Sequence, residues 1–264
     1  MTEETQKKEN LMEQVGQKID IALDTQLLNA RAFPRDIRQV LKNILDTVTL
    51  DSDIASGCFY SVPKGGKDPR TGQHNMVNGP SIRLAEICAS FWGNMHAGTR
   101  FVSNDGKYIT VEGWAWDLQN NFKISVEVTK SIRNKSGYVY SPEMQATAQA
   151  AAASIALRNA IFKIIPQVFV DKAYKSCMDL VLHGVVQNKE DGNKYIKRLN
   201  EMGIETSKIL SYFNIETVDL LTPQHIQEII GIGTSIKDGY LLVEEAFQSI
   251  NHASKILEEI DHVG

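Results

Sequence analysis

Apolar positions along this chain recur with two periods, and the switch between them marks its middle. After Pro34, the residues Ile37, Val40, Leu41, Ile44, Leu45 and Val48 repeat at helical spacing and predict a helix over about 35–49. Its opposite face, with Arg35, Arg38 and Lys42, is expected in solvent. Cys58–Val62 reads as a short strand, and PKGGKDPRTGQHN after it has the glycine, proline and asparagine content of an exposed loop. Asn78-Gly79-Pro80-Ser81 opens a second helix with Leu84, Ile87, Cys88 and Phe91 on one face, stopped by Gly93 and Asn94. The period then falls to two. Strands are predicted at Phe101–Val102, Lys107–Asp117 and Phe122–Ile132, with a short fourth at Tyr138–Tyr140.

The central hairpin carries its own register. With Gln119 and Asn120 as the turn, Ala115 faces Ile124, Gly113 faces Val126, Val111 faces Val128 and Ile109 faces Lys130, so the apolar faces of both strands coincide. A slip by one residue would turn one apolar set to the wrong side. On the other face Trp116 opposes Lys123, Trp114 opposes Ser125 and Glu112 opposes Glu127. That face suits a cation–π pair, a stacking surface or a protein–protein seam, and the two glutamates call for a cation between them, from another subunit if not from this chain.

A long helix follows the strands. Ser141 suits the N-cap, Pro142 the first helical position and Glu143 the positive end of the dipole, and Pro166 closes the segment. Projection at 100° per residue puts Thr147, Ala151, Ser154 and Arg158 on one narrow stripe, with Ala146, Ala150, Ala153, Leu157, Ile161 and Ile164 as an apolar flank. Small residues admit another backbone closely, and Arg158 offers a planar fork of donors to a phosphate or a carboxylate. Short helices are expected at about 193–202, 206–213, 223–230 and 241–259. Within them IIGIGTSIKDG resembles a helix-hairpin-helix turn, although plain turn glycines at 231 and 233 are the better reading of its acidic surroundings.

These elements give an α+β chain, an antiparallel meander packed on a long helix with a small all-α C-terminal domain. The boundaries are a mobile segment over 1–30, a core over 31–175, a linker over 176–192 and a helical domain over 193–264. Charge follows them. Residues 55–175 hold 14 Lys and Arg against 8 Asp and Glu, a net +6, whereas residues 1–54 carry −3 and residues 176–264 carry −7. A basic middle between acidic ends favours an anionic ligand for the core.

Several classes are disfavoured. No run approaches the ~20 apolar residues of a membrane span, and the polar MTEETQKKEN stands where a secretory signal needs an apolar run, so a cytoplasmic location is expected. Cys58, Cys88 and Cys177 form no CxxC pair and read as buried thiols. The six histidines show no HxxxH or HExxH spacing, GxSxG is absent, and the glycine loop does not fit GxxxxGK[ST], so neither an enzyme, nor a metal, nor a cofactor is expected. Lys64, Lys67 and Arg70 in that loop, with Phe59 and Tyr60 upstream, suit phosphates and stacked bases. Arg133 and Lys135 at a strand end and Lys163 near the helix terminus add charge.

The order of helix (GPSIRLAEICASFW), strands (RFV, KYITVEGWAW, FKISVEVTKSI) and helix (ATAQAAAASIALRNAIFKIIP) resembles the core of the phage RecT/Redβ superfamily of single-strand annealing proteins, over about residues 55–170. GPSIRLAE stands where the RecT subfamily carries a GYKG-like sequence, so the resemblance is to a divergent branch. It implies an ATP-independent protein of phage recombination, acting in the bacterial cytoplasm as an oligomeric ring or filament. Single-stranded DNA and the annealed duplex would lie along a basic groove lined by the closing helix and strand ends. Arg158, Arg133, Lys135, Lys64, Lys67, Arg70, Lys123 and Lys163 are the expected DNA contacts, and Tyr60, Trp116 and Tyr138 the expected stacking residues. The resemblance also implies that the acidic helical tail docks a partner, the host single-strand-binding protein or a phage exonuclease. The alternative is a phage or plasmid assembly protein whose polar-aromatic sheet face joins subunits.

Overall fold

A computed structural model describes residues 24–67, 74–134, 137–187 and 189–247, with side chains over the same ranges except 64–67, 74, 184–187 and 189–192. Most of the N-terminal segment expected to be mobile, Arg70, Lys135 and the end of the last expected helix lie outside the described residues. Helix α1 covers residues 24–32 and α2 runs Ile37–Val48, begun by the Asp36 carboxylate accepting from the Arg38 and Gln39 amides. The chain continues as α3 Ser52–Gly57, β1 Phe59–Lys67, β2 His74–Pro80, α4 Ile82–Trp92, β3 Met95–Asn104, β4 Tyr108–Asp117 and β5 Phe122–Ser131. Then come α5 Pro142–Ile164, α6 Gln167–Gln187, α7 Lys189–Glu201, α8 Thr206–Phe213 and α9 Pro223–Lys237. The fold is α+β, with antiparallel sheets of order β1-β2 and β3-β4-β5.

The register of β4 and β5 is the one that their alternation predicts, from Ile109 opposite Lys130 to Trp116 opposite Lys123. Ile109, Val111 and Ala115 are buried against α5. Gly113 lies where helix and sheet meet most closely: a Cβ there would collide with the Ala156 carbonyl and the Leu157 amide. The helix turns Ala152, Ala156 and Ala160 inward, while Ala146 and Ala150 of the expected flank are exposed. In so alanine-rich a helix the apolar pattern is shallow, and close backbone approach decides the rotation instead. Ala151, on the small stripe, does receive a backbone, that of Gly239.

Three segments differ from their expected form. The glycine loop is flanked by a hairpin, because His74–Pro80 pairs with β1 although its sequence shows no apolar alternation. Strand β3 begins at Met95, well before Phe101, and is exposed along most of its length. The expected linker is helical: Val170, Ala173, Cys177 and Val181 continue one buried stripe through α6. Nor is the tail set apart from the core. Ile226, Ile229, Ile230 and Ile232 belong to the same buried cluster as Phe59, Ala85 and Val170. Gly231, inside α9 rather than in a turn, packs directly on Ser61 of β1, and the Ser235 hydroxyl donates to the Ser61 carbonyl at 2.7 Å.

Cys58, Cys88 and Cys177 are all fully buried, and burial pushes the Cys88 thiol up to about 12. The Cys177 thiol, hydrogen-bonded with Cys58, is raised as well. Among the described residues, no cluster of three His, Cys, Asp or Glu is placed to hold a metal ion, and no helix is long and apolar enough to cross a membrane.

Arg35 is not solvated. Its Nη1 and Nη2 each donate to a different Asp117 oxygen at 2.6 Å, and both side chains are at most 5% exposed. Its guanidinium stands 4.4 Å from the Trp92 ring centroid. The same carboxylate accepts from the Trp92 indole, the Gln119 and Asn120 amides and the Asn120 side chain. Burial alone would raise the Asp117 carboxyl, but its Arg35 and Asn120 hydrogen bonds prevail and hold it at about 2, against an ordinary 3.8. A depressed folded-state value stabilises the fold above the unfolded pKa. This stabilisation, about 2 kcal/mol, is therefore complete above pH 4 and lost as pH falls toward 2. Arg35→Ala is expected to cost about 3–5 kcal/mol by urea unfolding, and Asp117→Asn should flatten the acid limb of the stability profile. Gly113→Ala should destabilise by about 1–3 kcal/mol in the same measurement, through overpacking against α5.

Candidate nucleic-acid interface

Arg158 projects from α5 into a cluster that three distant segments build. Its Cζ lies 5.0 Å from the Tyr60 ring centroid and 5.2 Å from that of Tyr240, and the two rings are 5.0 Å apart, tilted by 53°. Nε and Nη2 donate to the Asn159 side-chain oxygen at 3.2 and 2.9 Å. Two tyrosine faces thus hold the guanidinium by their quadrupoles and orient its plane.

Local backbone explains both rings. Tyr60 lies across its register partner Gly79, where a Cβ would approach the phenol oxygen to 2.8 Å. Tyr240 follows Gly239, whose φ of +73° turns the chain after α9 and whose carbonyl accepts from Lys130 Nζ at 2.8 Å. Lys130 reaches it from the inner face of β5, and burial lowers its pKa while Glu245 raises it. Burial raises the Tyr240 phenol to about 12, with the Arg158 charge acting in the opposite sense.

The expected cationic residues fall into separate places. Tyr60 and Arg158 meet, and Lys64 and Lys67 follow on the arm of β1, their side chains outside the described residues. Arg133 is elsewhere. It bridges Val139, and its Nη1 and Nη2 donate to the Gly137 and Gly106 carbonyls at 3.2 and 3.3 Å, fastening the end of the β4–β5 hairpin. From there α5 travels about 24 Å between Pro142 and Arg158. Tyr138 is 74% exposed beside Arg133, and Lys163 is exposed in the last turn of α5.

Lys123 and Trp116 are register partners on the outer sheet face, but of the alternatives open to them the cation–π pair is not formed. Lys123 Nζ stands 5.2 Å from the Trp114 ring, which lies over Gly98, and the Trp116 indole donates to Asn121 at 3.2 Å. The expected cation between the two glutamates is not seen among the described residues; Glu112 is instead met from its other side, where Arg100 Nε on β3 donates to it at 2.9 Å. Its hydrogen bond is the main reason that the Glu112 carboxyl is lowered. Arg83 faces Asp238, its Nε 3.9 Å from Oδ1.

Trp114, Tyr240 and Asp238 did not emerge as site residues from the sequence. For the last two the signal was the string KDGY, charges and an aromatic around a glycine stop. No family model matches the chain, and comparisons with curated proteins and with solved structures likewise give no match. Arg158→Ala should cost about 1–2 kcal/mol of unfolding free energy, measured by urea denaturation, and leave a folded protein for binding assays.

Proposed function

We propose that this protein binds single-stranded DNA and anneals complementary strands without ATP, as an oligomer and a divergent relative of the RecT/Redβ superfamily. One observation carries the reading: Arg158 sits with Tyr60 and Tyr240 at the root of a hairpin arm bearing Lys64 and Lys67. A planar cation oriented by aromatic rings suits a phosphate, and a phenol ring beside it suits a base. The net +6 of residues 55–175 supplies the attraction that brings a polyanion there. Arg133, Lys123 and Lys163 would then act as separate contacts along a longer strand path, with Trp116 and Tyr138 beside them. The acidic helices of the tail would meet a partner protein, the host single-strand-binding protein or an exonuclease.

A second reading has its own support. Tyr108 is about half exposed on the polar-aromatic outer face of the sheet, on the same side of β4 as Trp114 and Trp116, as a subunit seam in an assembly protein would require. Annealing of complementary oligonucleotides, followed by fluorescence without ATP across a salt series, separates the two. The annealing reading expects binding that falls steeply with salt, and an annealing rate reduced about tenfold or more by Arg158→Ala or by Lys64→Ala with Lys67→Ala. Absence of both annealing and salt-dependent binding in the wild-type chain would leave the assembly reading.

A further inference from the structure

A cavity of about 410 Å³ lies between α3, α4, α7 and α9. Its wall mixes apolar side chains, Leu199 of α7, Met202 just past it and Ile229 and Ile230 of α9, with the polar Ser56, Tyr195 and Thr234. It follows α9 from Ile229 to Asp238, roughly 14 Å at the helical rise. Its rim is cationic. Arg83 and Lys237 stand at the Asp238 end, and Arg198 lines it beside Lys194, both paired with Asp53 at 3.0 and 2.6 Å.

Asp238 is the unusual member. Its side chain is only 2% exposed, its Oδ1 lies 3.9 Å from Arg83 Nε, and among the described residues no donor reaches Oδ2. It also caps the C-terminus of α9, the negative end of the helix dipole. Burial, dipole and an unpaired oxygen all disfavour a carboxylate here. Burial accordingly raises the carboxyl to about 6, although Arg83 and Lys237 pull it down. The wall leaves room at Gly57, which lines the cavity and where a Cβ would meet no atom within 4 Å.

A matching ligand has faces that pack on the apolar side chains, offers donors to a carboxylate and carries negative charge to the rim. A nucleotide has all three properties. Guanine presents adjacent N1–H and N2–H donors, whereas the amino groups of adenine and cytosine adjoin a ring acceptor that a carboxylate repels, and thymine has a single N–H. We propose that this cavity binds a guanine 5′-nucleotide, its base donating to Asp238 and its phosphate held by Arg83, Lys237 and Arg198. The nucleotide is either free or part of a strand. The site does not depend on the annealing reading.

Calorimetric titration of the full chain with dGMP, dAMP, dCMP and dTMP tests it. Expected is a preference for dGMP over dTMP of about tenfold or more, abolished by Asp238→Asn. Gly57→Leu, which fills the cavity without removing a polar group, should weaken dGMP binding about tenfold or more with the unfolding midpoint unchanged. Should Asp238→Asn fail to fold, Gly57→Leu and Arg83→Ala decide in its place. A second arm compares a short oligothymidylate with and without one central guanosine. Guanine preference in the oligonucleotide alone assigns the strand as source, and preference for dGMP assigns the free nucleotide. No guanine preference in either arm overturns the proposal, as does one that survives Gly57→Leu. A chain that anneals strands with no guanine preference would overturn this site and leave the annealing reading intact.

Discussion

The two 2.6 Å hydrogen bonds between Arg35 and Asp117 anchor the segment before α2 on the β4–β5 turn, where the Arg35 amide also donates to Gln119 and Asn94 donates to the Ala30 and Phe33 carbonyls. Arg35 precedes α2, Asp117 ends β4, and Trp92, which contacts both, ends α4. Two charges removed from water demand nearly ideal geometry, and although Arg35 Nε finds no hydrogen-bond partner among the described residues, the carboxylate is engaged by Trp92, Gln119 and Asn120 as well, so the pair favours one arrangement of helices on the hairpin turn. Its contribution is orientation more than net stability. Once the β4–β5 turn is held against α2 and α4, the inner face of the sheet is presented to α5. From α5, in turn, Arg158 reaches β1 and the end of α9.

How legible a segment was depended on whether its own sequence carried the cause of its structure. Strands β4 and β5 alternate because one face is buried, and that alternation fixes their register to the residue. Helices α2 and α4 announce themselves through caps and apolar stripes. Strand β2 does not, since HNMVNGP is a strand by virtue of pairing with β1. The α6 stripe was masked by the polar Ser176 and Asp179 between its buried positions. Arg35 looked like one more solvated cation on a helix that it in fact precedes, and only the fold supplies its carboxylate.

The candidate site divides along the same line. Arg158 and Tyr60 stand out as a lone cation on a small-residue stripe and an aromatic beside a basic loop. Their meeting required a chain reversal of which neither sequence gives a sign. Tyr240 enters only because Gly239 bends the chain, and Gly239 can approach α5 only because Ala151 is small. The stripe thus has a structural use, seating the end of α9, and that use brings a second ring to Arg158. Structural and functional readings of the stripe are therefore not rivals, since the packing positions the cation.

The contact of Gly113 with the backbone at Ala156 has a mechanical meaning. Most helices ride on a sheet over a cushion of side chains that can repack and let the layers slide. Here bare main chain meets main chain, so no intervening rotamer is left to adjust. At this point a displacement of β4 is therefore passed directly to the turn of α5 that carries Arg158, whereas at Ile109 and Val111 side chains still lie between the layers. In evolutionary terms the two positions are locked together: bulk gained at Gly113 has no neighbour that can be trimmed to accept it, because what it would strike is the peptide bond itself.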